Sequence, residues 1–243
     1  MKKILKIIII IILSITILVG TIFGIFTYKG YSLYKSAIAK ESIESKVESM
    51  RSQSWYVVTD DVPYYFKSAV IAVEDHRFES HGAIDPIAIL RAIWVNISQL
   101  RLVEGGSTIT QQVAKNMFFT QKQNFERKLA EIFLSFDLEE LYSKNEILEL
   151  YINDNYYGDG YYGIGGASRG YFEKEPMELT FDEMTLLAGL PNAPSIYSLS
   201  DNSSLARQRQ TKVINSMVKY GYITEEEKTE LLEIQSSGAF PND

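Results

Sequence analysis

The sequence predicts a mainly α-helical domain preceded by a single transmembrane helix. Three observations predict it: an apolar run near the N-terminus, several helix starts of the S/T-x-x-E kind, and no run of alternating strands. A length of 243 residues suits one globular domain plus an appendage. The net charge of −7 argues against nucleic acid as a partner, because duplex binding is driven by cationic patches. With no cysteine, disulfides, thiolate catalysis and cysteine metal sites are excluded. The two histidines, His76 and His81, lie five apart, which also excludes a histidine-rich metal centre.

Taken in order, Lys2, Lys3 and Lys6 precede an Ile/Leu/Val/Phe run that reaches Phe26. At 1.5 Å per residue such a run crosses roughly 30 Å of hydrocarbon. It lacks a clear small-x-small cleavage site, so residues 1–28 read as a cytoplasmic tip and an uncleaved signal-anchor. Lys29, Lys35 and Lys40 beyond the span weaken the charge bias for that orientation. Residues 29–54, polar and carrying Glu41, Glu44, Lys46 and Glu48, read as a stalk without chemistry. The globular domain is expected over 55–235 and a tail over 236–243. Trp55–Thr59 reads as a short strand or extended lead-in, and Asp60, Asp61 and Pro63 mark the turn before a helix near Tyr64.

That helix carries the apolar run Ser68–Val73 and delivers Glu74 and Asp75 at its end. A carboxylate at the edge of an apolar helix is raised in pKa by desolvation, which suits a general base; an ED pair is also an ordinary solvated helix end. Asp85 before Pro86 is a helix N-cap with proline at the first position. His81 reads as a hydrogen-bonded structural histidine. The helix after Pro86, which includes Trp94, is apolar over much of its surface and suits either a core or a membrane interface.

The stretch Gly105–Phe118 follows. Ser107 and Thr108 are good helix caps, Ile109, Val113 and Met117 share one stripe, and Gln111, Gln112 and Lys115 fan across the other side. A helix start with free backbone N–H groups, hydroxyls, amides and a lysine suits an anionic oxygen cluster; the plain alternative is a solvated amphipathic face. In the next helix Arg127, Glu131, Leu134 and Leu138 fall on one line, putting Glu131 at the margin of a buried stripe. An Arg127–Glu131 ion pair there is worth about 0.3 kcal/mol, in the less favourable order. Lys115, Lys122, Arg127 and Lys128 against Glu126 give the window 115–128 a charge of +3, four minus one, again pointing to an anionic ligand.

Ser143–Glu146 and Thr180–Glu183 are capping boxes, and Thr224 begins a T-x-x-E start. Gly158, Gly160 and Gly163 spell G-x-G-x-x-G, but after a helix and outside any βαβ unit, so a tight loop under the site is the better reading than a dinucleotide fold. Arg207–Tyr220 and Thr224–Ile234 read as amphipathic helices.

In this order EDHRFESHGAID, GGSTITQQVAKN, RKLAE, KNEILELYIN and LLAGLPNAPS resemble the five motifs of the peptidoglycan glycosyltransferases, over roughly residues 55–235. The resemblance implies a lysozyme-like, two-lobed helical fold and, with no room for a transpeptidase domain, the monofunctional form. It departs at His81-Gly82-Ala83, where the family has H-x-G-x-D, and at Glu173-Lys174, where a Gly-Lys pair is common. It implies polymerisation of lipid II with inversion and release of undecaprenyl pyrophosphate. Glu74 would be the general base and Glu131 the second catalytic carboxylate. Ser107, Thr108, Gln111, Gln112, Lys115, Asn116, Arg127 and Lys128 would hold pyrophosphate and sugars, and Asp75, Phe78 and His81 would shape the acceptor side. Glu131 would orient the cations or share a divalent metal, Mg or Mn, with the pyrophosphate. The implied partners are lipid II, the growing lipid-linked strand, the membrane and the cell-wall synthesis machinery. The implied location is the cell membrane, single-pass, with the domain outside. A membrane-anchored lysozyme-like hydrolase and an inactive scaffold are the rival readings. A hydrolase would not need the Lys115/Arg127/Lys128 cluster.

Overall fold

The computed structural model describes residues 2–101, 105–119 and 124–236; Lys122 and the tail from 237 lie outside them. The order is α1 (Lys2–Lys40), α2 (Ile43–Arg51), α3 (Tyr64–Glu74), α4 (Pro86–Gln99), α5 (Ile109–Phe118), α6 (Phe125–Leu141), α7 (Lys144–Asp154), α8 (Gly163–Phe172), α9 (Phe181–Gly189), α10 (Ser203–Lys219) and α11 (Glu225–Ser236). Among the described residues the only β pairing is one isolated bridge, Tyr156 with Tyr162. The mainly α expectation holds, and Trp55–Thr59 is extended lead-in rather than strand.

Local chemistry sets the boundaries. Ser143 and Thr180 each accept from the N–H three residues on, while Glu146 and Glu183 return the bond, so both expected capping boxes form. Thr224 and Glu227 exchange the same pair of bonds. Asp85 caps α4 through the N–H groups of Ile87 and Ala88 ahead of Pro86 at the first position.

α1 is one helix long and apolar enough to cross a membrane. From Ile4 to Ile25 its large apolar side chains are 46–67% exposed on every side, a surface suited to lipid rather than water. The helix does not end at the span. The segment read as a stalk packs on the domain: Gly30 and Tyr34 are buried in a seam against α6, and Ile43 and Val47 of α2 are buried as well.

Two helix groups share one continuous buried core. In one, α3, α9 and α10 pack mutually with α11 behind; in the other, α5 lies between α6 and α7, with α1 on α6 and α8 on α7. α4 belongs to neither interior: Leu90, Trp94 and Ile97 are more than 60% exposed and Ala92 is its one buried side chain. Of the two alternatives for this helix, core is therefore ruled out. α8 forms in a glycine-rich stretch that reads as loop, since its glycines let other segments approach. A Cβ on Gly165 would stand 2.5 Å from the Trp55 carbonyl oxygen, and one on Gly170 2.2 Å from the Tyr161 ring.

Candidate active site

The end of α3, the start of α5 and the middle of α10 enclose a cleft of about 440 Å³ that includes Glu74, Ser107, Gln112 and Arg209. Apolar periodicity buries Phe66, Ala69, Val70 and Ala72 and leaves Glu74, the last residue of α3, at the cleft wall. One Glu74 oxygen accepts from Arg209 Nη2 at 3.0 Å, the other from Gln112 Nε2 at 3.0 Å. Its surroundings are thus a cation and an amide rather than the apolar edge that periodicity suggests.

Asp75 lines the cleft beside Glu74, but both its oxygens are engaged. Its Oδ1 meets His81 Nε2 at 2.8 Å and its Oδ2 accepts from the Ile109 N–H at 3.0 Å, tying the end of α3 to the start of α5. His81 also donates through Nδ1 to the Gly82 carbonyl. Burial opposes its charge, but the Asp75 and Gly82 bonds outweigh that and raise its pKa. Both His81 ring nitrogens are thus engaged in hydrogen bonds within the fold. Phe78 is fully buried.

At α5 one expectation is corrected. The helix start does not offer all its N–H groups to an anion: Asp75 takes that of Ile109, and the Thr108 hydroxyl takes that of Gln111. Thr108 and Gln111 form a buried capping box, with the Thr108 hydroxyl donating to the Ala83 carbonyl. Ser107, Gln112 and Lys115 remain on the open side, and Asn116 donates to Asn155.

The cations come from α6. Glu131, 2% exposed at its side chain, is held by Arg127 Nε at 2.9 Å and Lys128 Nζ at 3.1 Å. Lys128 also reaches Ser107 Oγ at 2.8 Å, which joins α6 to the lip of α5. Lys115 makes no hydrogen bond or ion pair among the described residues. Burial lowers its pKa; Glu131 and Glu74 oppose that, while Arg127 and Lys128 add to it. It feels the charge of both carboxylates as an ammonium without a fixed side-chain partner among the described residues, suited to an incoming anion.

A divalent cation on Glu131 does not fit these donors. Both oxygens already face cations, and among the described residues no group of three or more potential metal ligands includes Glu131. The one acidic cluster, Asp75, His81 and Asp85, spends its oxygens on His81, Arg77 and backbone N–H groups. No step is routed through a metal.

The cleft also contains residues the sequence did not mark: Arg209, and a basic flank of Arg91, His76 and Lys219. His76 stacks on Tyr220 at 3.9 Å and contacts Arg91. Burial, then Arg91, lowers its pKa. Helical periodicity in α10 reveals only which face is buried, so it carried no signal for Arg209.

The transglycosylase family model matches residues 40–218. Penicillin-binding protein 1A of Aquifex aeolicus is 44% identical over 72% of this chain and 24% of its own length. Penicillin-binding protein 1F of Bacillus subtilis is 37% identical over 93% of this chain and 33% of its own length. A Cupriavidus necator protein provisionally named a transglycosylase is 43% identical over 70% of this chain and 73% of its own length. The chain thus spans about a quarter to a third of the two penicillin-binding proteins. Five ordered motifs, a helical domain behind an apolar helix, and a match over most of the length lead to one conclusion: the chain belongs to the transglycosylase family and carries its peptidoglycan glycosyltransferase domain.

Proposed function

We propose that this chain polymerises lipid II into linear glycan strands at the outer face of the cell membrane. The observation that carries the reading is a reachable carboxylate in the cleft, Glu74, within electrostatic reach of an ammonium without a fixed partner, Lys115, which also feels Arg127 and Lys128. Glu74 takes the proton from the C4 hydroxyl of the acceptor sugar, and that oxygen attacks C1 of the growing strand with inversion. The C1–O bond to phosphate breaks, and undecaprenyl pyrophosphate leaves with the electron pair. Such a leaving group needs charge neutralisation more than protonation, which the three cations supply. Arg209 and Gln112 aim the base, and Glu131 keeps Arg127 and Lys128 in place. Asp75, Phe78, His81, Thr108 and Gln111 contribute through the shape of the walls, Ser107 and Asn116 through sugar or phosphate contacts. The exposed apolar faces of α1 and α4 suit a domain that takes lipid substrates from a bilayer.

The test is polymerisation of labelled lipid II by detergent-solubilised protein, wild type beside Glu74→Gln, with products resolved on a gel. Long lysozyme-digestible glycan from the wild type alone is expected. Equal polymer from both would remove Glu74 as the base. Cleavage of preformed glycan without synthesis would give the hydrolase reading, and silence in both assays the scaffold.

A further inference from the structure

The end of α1 runs alongside α6 in a regular register. Phe26 meets the Phe125 ring edge-on at 5.4 Å, Gly30 lies against Leu129, and Tyr34 packs on Phe133 at 5.9 Å. Each step is four residues on both helices, so they run parallel and the N-terminal turn of α6 lies beside the end of the apolar run. Lys29 adds an ion pair to Glu126 at 3.0 Å, and Tyr34 a hydrogen bond to Asp137. At the centre there is no room for a side chain: a Cβ on Gly30 would stand 2.6 Å from Leu129 Cβ and 3.0 Å from the Glu126 carbonyl oxygen. Arg127 and Glu131 project from the opposite face of α6, and Arg127 lies only about 3 Å further along the axis than Phe125.

We propose that Gly30 is a positioning residue. The close seat it gives α6 on the membrane helix holds Arg127 and Lys128 at the height where the bilayer's apolar region gives way to its headgroups. A pyrophosphate on a lipid tail lies at that height, so the donor need not be lifted out of the membrane. The placement of α6 stands on the contacts and the apolar run; its consequence for the donor rests on the polymerase reading.

The chain has no cysteine, so single labels are clean. Phe125 and Phe136 are each about half exposed and about 16 Å apart along α6. Phe125→Cys and Phe136→Cys, each carrying a nitrobenzoxadiazole label, would be placed in phosphatidylcholine–phosphatidylglycerol vesicles with headgroup-region spin-labelled lipids. At least threefold stronger quenching at 125 than at 136 is expected. Equal or reversed quenching would overturn the placement. Gly30→Leu should slow polymerisation of a long-chain donor in vesicles tenfold or more, through KM, and leave a short-chain water-soluble donor within twofold. Parallel loss on both donors, or loss on neither, would overturn the positioning role. Where Gly30→Leu does not fold, the two labelled proteins decide the matter. A wild type that makes no polymer would remove the polymerase reading and leave the quenching result standing.

Discussion

Glu74 at the cleft and Glu131 on α6 are built oppositely. Glu74 ends a helix, stands 12% exposed and has one cation and one amide as partners. Glu131 lies in the middle of a helix, almost fully buried, between two cations. A group that must exchange a proton with a substrate has to be reachable and held by partners that can yield. A group that must keep cations in place is better buried and fully engaged. Asp154 extends the series: it has no ion pair among the described residues, and burial raises its pKa to about 7 despite Lys46 and Lys115. The number of cations in contact, two, one and none, separates a buried anchor, a reachable carboxylate and a carboxyl whose proton burial holds.

The largest effect is expected at Glu74. Glu74→Gln should cost about 10³ in polymerisation rate, in the range for loss of a general base, with little change in melting temperature. A fall of less than tenfold would break the distinction from Glu131. Lys115→Met should cost about 10² in rate, as for removing one group that stabilises developing charge, and a rate unchanged in a lipid II polymerisation assay would remove Lys115 from that role. Glu131→Gln should show up first in stability, by about 2 kcal/mol in denaturant titration. That is below the usual figure for a broken buried pair because Lys128 is over a third exposed. An unchanged midpoint would contradict its role as anchor.

The smallest effect concerns Asp154. Folded, it keeps its proton to about pH 7, while the unfolded chain loses it near the ordinary value of 3.8. The folded state therefore binds more protons between those values, and its stability falls as pH rises from about 4 to 7. Asp154→Asn should remove that slope: the two proteins melt together at pH 4, and the variant melts a few degrees higher at pH 8. Parallel melting curves across this range would refute the neutral carboxyl.

The helix boundaries were the most legible part of the sequence, because a capping box is written within four residues, as at Ser143 and Thr180. The resemblance brought Glu74, Lys115, Arg127, Lys128 and Glu131 together; in the structure Arg127 and Lys128 pair with Glu131, and Lys115 feels the charge of all four. What stayed hidden depends on partners distant in sequence. Arg209 reaches Glu74 from 135 residues away. The donors of α5 look free until Asp75 is seen to occupy one. Residues 29–54 look solvated until α6 is seen beside Gly30 and Tyr34. Polarity indicates what water would accept, not which protein surface lies opposite.

Asp75 has a mechanical consequence. The peptide from His76 to Thr108 is a long detour between Glu74 and the lysine helix, yet one Asp75 oxygen bypasses it to reach Ile109 while the other holds His81 within it. The end of the helix that carries Glu74 is therefore tied to the start of the helix that carries Lys115 by a strut one residue wide, and a change at Asp75 would loosen one helix from the other without touching either side chain.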